Sequence, residues 1–297
     1  QSISLSNNNL DDEGVFLLSK TTNLPQLASI DLSSNEVGSL GAKVLGLSKS
    51  LNRINSLNLS YNRLESLGIH SLANSDFSKN LKILNIRDTC LDNKGMEGFS
   101  EPCLNRLRLL DLSDNSISDS GIEALAMSKA FPKINKLILN NNHIKDDGIY
   151  ALSESEMFHN LEALFLVNND LTTDSAISIS KSSFFNKLKI LDLNNNDIRA
   201  EGVEALSESP ILGSLQYLDL GQNGLGVGGA KALSESSNMK ILKFLRLNNN
   251  NIGDNGNNDK WVVSVSENAG ESWIDLENST YSNTEWEKKR FILFTKM

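Results

Sequence analysis

Apolar residues return along this chain on a fixed ruler. Frames of the form Leu-x-x-Leu-x-Leu-x-x-Asn-x-Leu open at Leu27, Ile54, Leu81, Leu107, Ile134, Leu161, Leu188, Leu215 and Leu242. The step is 27 residues every time except from Leu81 to Leu107, where it is 26. One such frame cannot bury its apolar face alone, so a period of this length predicts stacked repeats sharing one continuous core. In the copy that opens at Leu188, the alternation Leu191-Asp192-Leu193 predicts a short strand. The ladder position that follows carries Asn8, Asn35, Asn62, Asn115, Asn142, Asn169, Asn196, Asn223 and Asn250, and only Thr89 breaks the series. An amide side chain both donates and accepts, so it suits the backbone of its own turn and of the neighbouring one.

A helix is predicted next in each repeat. Six residues after the ladder position stand Gly14, Gly41, Gly68, Gly95, Gly121, Gly148, Gly202, Gly229 and Gly256, with Ser175 the exception. Asp119, Asp146, Asp147 and Glu201 precede that position and suit a helix N-terminus, where unpaired amides favour oxygen acceptors. Four residues beyond it an apolar side chain recurs: Leu45, Leu72, Phe99, Leu125, Leu152, Leu206 and Leu233.

Frame, asparagine column and helix together resemble the ribonuclease-inhibitor-like class of leucine-rich repeats, over roughly residues 1–256. The resemblance implies an α/β solenoid of about ten 27-residue repeats, the first incomplete. It further implies a horseshoe with a concave parallel sheet and convex helices. It does not specify function, which lives in sites grafted onto a fold. Residues 257–297 leave the ruler and are expected to cap the solenoid. All three tryptophans (Trp261, Trp273, Trp286) lie beyond Gly256, and Thr284-Glu285-Trp286-Glu287 reads as a capping box.

Composition narrows the partner. The 297-residue chain carries a net charge of −9, which disfavours nucleic acid and mildly favours a protein partner with a basic patch. Cys90 and Cys103 make no disulfide framework and are expected to be buried free thiols in a reducing, cytosolic compartment. No apolar run is long enough to span a membrane, and no secretory signal opens the chain. The first residues already fit the repeat, so a preceding segment is expected.

Most features that suggest chemistry dissolve into the repeat. The glycine-rich stretch Gly221–Lys231 places Asn223, Leu225 and Gly229 on ordinary repeat slots and lacks a phosphate-binding lysine pattern. His70, His143 and His159 show no metal-ligand spacing. Neither catalytic residues, cofactor nor metal is expected. Asp192 and Asp219 share one slot in adjacent repeats, about 5 Å apart, and are expected to be solvated, or ready for a partner's Lys or Arg, rather than poised as acid and base.

The slot filled by Asp192 is mostly Asp or Asn, yet it holds Ile138 and Phe165, with Val167 two residues beyond Phe165. Alternation aims these three out of the core, where they are expected to touch. A second line runs through Ala163, Ile190, Tyr217 and Phe244. An apolar patch with a polar rim marks an interface. Ile138, Phe165, Val167, Ile190, Asp192, Tyr217, Asp219, Phe244 and Arg246 are therefore the candidate partner-binding residues. Tyr61, Arg87, Asp88 and Asp114 form a more polar second candidate.

The first functional reading is a monomeric, non-enzymatic module that grips a protein partner on its concave face. The alternative follows the resemblance to the Ran GTPase-activating protein: a small-GTPase regulator using Arg87. A ubiquitin ligase of the bacterial type is disfavoured, because no cysteine follows Cys103. Heavy use of Asn, Ser, Lys and Ile points to an AT-rich genome. In that respect the chain is similar to secreted leucine-rich-repeat effectors of intracellular bacterial pathogens, which act in the host cytosol.

Overall fold

The computed structural model describes residues 1–252 except Thr22 and Glu101, with the backbone of Val262 and Val263. The segment expected to form the cap, 257–297, otherwise lies outside the described residues, as do Gly256 and the three tryptophans. Contacts divide the chain into a first unit, Gln1–Ile144 with Ser155–Leu161, and a second, Lys145–Glu154 with Glu162–Met297.

The first unit alternates three-residue strands with helices: β1 (Ser2–Ser4), α1 (Asp12–Ser19), β2 (Ser29–Asp31), α2 (Ser39–Leu47), β3 (Ser56–Asn58), α3 (Glu65–Ala73), β4 (Ile83–Asn85), α4 (Asn93–Met96), β5 (Leu109–Asp111), α5 (Asp119–Met127) and β6 (Lys136–Ile138). Its strands pair in sequence order and all in parallel. The second unit contains α6 (Asp146–Ser153), β7 (Ala163–Phe165), α7 (Thr173–Lys181), β8 (Ile190–Asp192), α8 (Arg199–Glu208), β9 (Tyr217–Asp219), α9 (Gly226–Glu235) and β10 (Phe244–Arg246). Strands β7 to β10 are again parallel in sequence order. A two-residue β11 (Val262–Val263) pairs antiparallel with β10.

This is the leucine-rich-repeat solenoid pattern that the ruler predicts. From β2 to β10 the middle residue of each strand faces the helices and is buried, as with Leu84, Leu110, Leu191 and Leu218, while Ile3 in the terminal β1 is half-buried. The 26-residue step leaves the register intact, since Ile83 pairs with Leu109 and Leu84 with Leu110. The lost residue falls after the helix, between Phe99 and Leu104, in a repeat whose α4 is a single turn continued as a 3-10 turn over Glu97–Phe99. Aromatic side chains form part of the core between helix and next strand, with Phe131, Phe158 and Phe185 all buried.

The asparagine column is the spine. The Asn115 side-chain oxygen accepts from the backbone N–H of Thr89 (3.1 Å) and Leu91 (3.0 Å) in the preceding repeat. Its amide donates to Leu112 O and Ser113 O of its own turn and to Ile86 O of that neighbour, each at 3.0 Å. Asn35, Asn62, Asn196 and Asn250 make the same kinds of bond. Thr89 keeps only a piece of this role, donating its hydroxyl to Ile86 O at 2.9 Å.

Two further cross-repeat devices were not legible in the frame. At helix C-termini a serine donates to a backbone carbonyl near the end of the preceding helix: Ser48 to Ser19, Ser155 to Ala126, Ser182 to Ser153, Ser209 to Ser180 and Ser236 to Ser207. At helix N-termini the cap can come from the preceding repeat. Asp12 accepts from Gly38 N–H, Asn93 from Ser118 N–H, and Asp146 from Thr172 and Ser175 N–H. Ser175, the exception in the glycine column, also donates its hydroxyl to Asp146. At Gly68 the column needs glycine for another reason: an added Cβ would lie 2.9 Å from Ser39 Cα of the neighbouring helix.

Replacing Asn115 by Ala would leave several buried backbone groups unpaired, and a loss of about 3 kcal/mol is expected. Thr89→Asn should instead raise the urea midpoint, because it restores the missing member of the column. Equilibrium denaturation of both variants beside wild type checks the pair.

Candidate partner-binding surface

The residues flanking each buried strand centre point away from the helices. In the third strand position the Asp or Asn side chain usually closes the strand end on itself. Asp31 accepts from Ser33 N–H (3.0 Å), Asn58 from Ser60 N–H (3.1 Å), Asn85 from Arg87 N–H (3.0 Å), Asp111 from Ser113 N–H (3.0 Å) and Asp192 from Asn194 N–H (3.1 Å). This is a local Asx turn, and it explains the polar preference without any ligand. Ile138, Phe165 and Arg246 occupy the same slot without an oxygen to accept that bond. Those three repeats forgo a net stabilisation of about 1 kcal/mol each.

The second unit gathers most of the candidate residues. In register, Ile190 pairs with Tyr217 and Tyr217 with Phe244, while Phe165 pairs with Asp192, Asp192 with Asp219 and Asp219 with Arg246. The Tyr217 and Phe244 rings stack at 4.6 Å and 3°, and both are only half-buried. Arg246 lies 5.5 Å from the Phe244 ring centroid and pairs with Asp219 at 3.3 Å. Phe165, Val167 and Ile190 are half-buried as well. Ala163, expected on the same open line, is instead buried at 5% exposure, being too short to emerge beside larger neighbours. Ile138 is half-buried on β6 of the first unit.

Asp219 overturns one expectation. It is 1% exposed rather than solvated. The stacked rings and Arg246 flank it, while Gly221 N–H donates to it at 2.9 Å, Asn194 at 3.3 Å and the Tyr217 hydroxyl at a long 3.5 Å. A Cβ on Gly221 would push the Asn194 and Asn248 side chains aside, since it would meet Asn194 Nδ2 at 2.3 Å and Asn248 Oδ1 at 2.7 Å. These groups border a depression of about 520 Å³ lined by Val167, Asp192, Asn194, Asp219, Arg246 and Asn248, joined by Gln222 and Asn249.

The two carboxylates are therefore not in equivalent surroundings. Burial raises the Asp192 pKa to about 6, with the Asp219 charge adding to the shift and the Asn194 N–H and Arg246 opposing it. The Tyr217 phenol is pushed up to about 12, by burial first and then by the charges of Asp219 and Asp192.

Three of the first unit's polar candidates, Tyr61, Arg87 and Asp114, contact one another within the chain. Arg87 forms an ion pair with Asp114 and lies 5.6 Å from the Tyr61 ring centroid. Asp114 also accepts from Asn141 at 2.6 Å. Tyr61, Asp88 and Asp114 share the corner just before the ladder position, where every described repeat has a left-handed backbone; their φ values are 57°, 49° and 54°. Asn fills that corner in several repeats (Asn7, Asn141, Asn168, Asn195, Asn249), as its tolerance of this region predicts. An exposed tyrosine there is the outlier.

Cys90 corrects a second expectation. It is exposed, as is its slot just after the ladder position in every described repeat, Glu36, Arg63, Ser116 and Asp170 included, and Cys103 is half-buried. His70, His143 and His159 are exposed. Among the described residues no group of three or more His, Cys, Asp and Glu could hold a metal ion, and no helix is long and apolar enough to cross a membrane. Gly224 (φ 66°) and Gly226 (φ 55°) relax the turn entering α9, as the repeat reading of that stretch implies.

A regular parallel scaffold with an irregular outward face defines a repeat-built binding protein. A model described as Leucine Rich repeat matches residues 1–19, 25–46, 77–100, 105–126, 132–153, 186–207, 214–234 and 239–256. The chain belongs to the leucine-rich-repeat family, whose domains are structural and protein-binding scaffolds rather than catalysts. No curated protein matches it.

The Asp192 shift has a sign that can be measured. A carboxyl with a raised folded-state pKa stabilises the fold fully below its unfolded value and loses that contribution as pH rises through the folded value. The stability of Asp192→Asn relative to wild type should therefore climb between about pH 4 and about pH 6 and level off above. Urea midpoints across that range check it.

Proposed function

We propose that this chain binds a protein partner on the helix-free sheet face of its second unit. Tyr217, Phe244, Ile190, Phe165 and Val167 supply apolar area, while Asp192, Asp219 and Arg246 set orientation and reject mismatched charge. The observation that carries this reading is the stacked Tyr217–Phe244 pair, standing half-exposed on the sheet face beside an ion pair instead of inside the core. Aromatic and arginine side chains together are the usual makings of an interface hot spot. The abandoned Asx turns at Phe165 and Arg246 support the same reading, since a sequence that breaks its own local rule at a surface tends to do so for a site.

The GTPase-regulator reading is weaker, because Arg87 is already held by Asp114 and Tyr61 of its own chain. Within the family, the 27-residue step supports the ribonuclease-inhibitor-like class. Two cysteines without a pairing pattern support a cytosolic setting, and the Asn- and Ser-rich composition supports a bacterial effector directed at a host protein.

Crosslinking capture from eukaryotic cytosol should compare wild type with Phe244→Ala and Tyr61→Ala, each shown to be folded by circular dichroism. Wild type and Tyr61→Ala are expected to take the same protein, and Phe244→Ala to lose at least about tenfold in affinity. Loss with Tyr61→Ala alone would move the surface to the first unit, and equal capture by all three would sink the sheet-face reading.

A further inference from the structure

The geometry points to the depression beside Arg246 as a receptor for one basic side chain, a guanidinium or ammonium group carried by the partner. This rests on the binding surface proposed above and assigns its chemistry. Among the described residues the depression presents two carboxylates, Asp192 and Asp219, and one cation, Arg246. Arg246 is committed to Asp219, at 3.3 Å. Asp219 is otherwise filled by Gly221 N–H and the Asn194 amide, and it is buried. Asp192 takes the Asn194 N–H on one oxygen. The pocket thus holds one negative charge more than its single arginine balances, on the carboxylate that remains half-exposed.

The walls fit such a visitor. Asn248 Oδ1 fills the space that a Cβ on Gly221 would take, and a side-chain amide oxygen accepts from a cation's N–H groups. Val167 offers an apolar wall for the methylene stem that Lys and Arg carry behind the charge. A planar guanidinium matches a carboxylate with two parallel hydrogen bonds, so an arginine is favoured over a lysine. The charge of the whole chain, −9, draws basic partners in the same direction.

A proton competes with this ligand. The charged and titratable groups facing Asp192 are Asp219 and the Tyr217 phenol from β9 and Arg246 from β10, while its register partner on β7 is the uncharged Phe165. With its pKa near 6, Asp192 is ionised at neutral pH and becomes largely protonated near pH 5, which removes the unbalanced charge.

The test uses the full chain, ¹⁵N-labelled, with the side-chain amide signals of Asn194, Gln222 and Asn248 followed by NMR. Ethylguanidinium is the probe, and ethylurea is its neutral counterpart of nearly the same shape. The expected result is saturable shifts with ethylguanidinium at pH 7.5 and none with ethylurea. Binding should weaken about tenfold in Asp192→Asn and at pH 5 in wild type, with no pH effect in the variant. The scaffold accepts that substitution, because Asn58 and Asn85 fill the same slot in other repeats. Absence of saturable shifts, an equal response to ethylurea, or undiminished binding by Asp192→Asn would each overturn the assignment. If the pocket fails while Phe244→Ala still abolishes partner capture, the sheet face stands and only its chemistry is wrong; the reverse pattern would leave a cation pocket on a face that binds no partner.

Discussion

Everything in this protein depends on how the tight turns after each strand satisfy their backbone. A three-residue strand leads at once into a corner with a left-handed residue, and the backbone just beyond it is buried between repeats, as the burial of Asn62, Asn115, Asn142, Asn223 and Asn250 shows. The asparagine column answers this by linking each turn to its predecessor through one side chain that accepts two N–H groups and donates to carbonyls on both sides, as Asn115 does. Buried backbone groups must be paired somewhere. Here the pairing is lateral, so the same bonds that complete a turn also set the spacing of the stack. The serine column at the helix C-termini and the borrowed caps at the N-termini repeat the principle at two other levels of the repeat.

Because the stack is secured by buried columns, the outward face is left free to vary. Even there the default is structural: Asp and Asn fold back onto the backbone two residues on, as at Asp31 and Asp111. A departure from that default carries more information than another acidic residue would. Phe165 and Arg246 depart from it within the second unit, beside the ring pair and the depression that Asp192 and Asp219 border. Ile138 departs from it in the first unit.

The strands, their parallel order, the buried frame and the asparagine column were readable because each rests on a strict one-dimensional period. The serine column was visible as a recurring letter but not as a bond, since its partner lies in the preceding repeat at a carbonyl with no side-chain signature. The candidate site was legible in its residues and illegible in its burial. Asp219 and Asp192 occupy the same slot, yet Asp219 is buried and Asp192 half-exposed, because what surrounds each depends on residues one repeat away, the glycine at 221 among them. Cys90 shows the limit from the other side: its slot faces outward in every described repeat, although composition alone would bury a cysteine.

The repeat that opens at Leu81 combines several irregularities. Thr89 stands where its counterparts have asparagine. Ser75, in the serine column just before it, bonds within its own helix, and Pro102 takes the next serine position. The helix is one turn long, and one residue is missing after it. In a linear array, folding cooperativity is handed on only through neighbour interfaces. Toward the following repeat this one is still tied by Asn115 and by Ser128, which donates to Phe99 O, whereas toward the preceding repeat the Thr89 side chain bonds only back onto its own turn. A chain otherwise built from near-identical links carries there one lopsided joint, keyed through the asparagine column to the repeat after it and not to the one before.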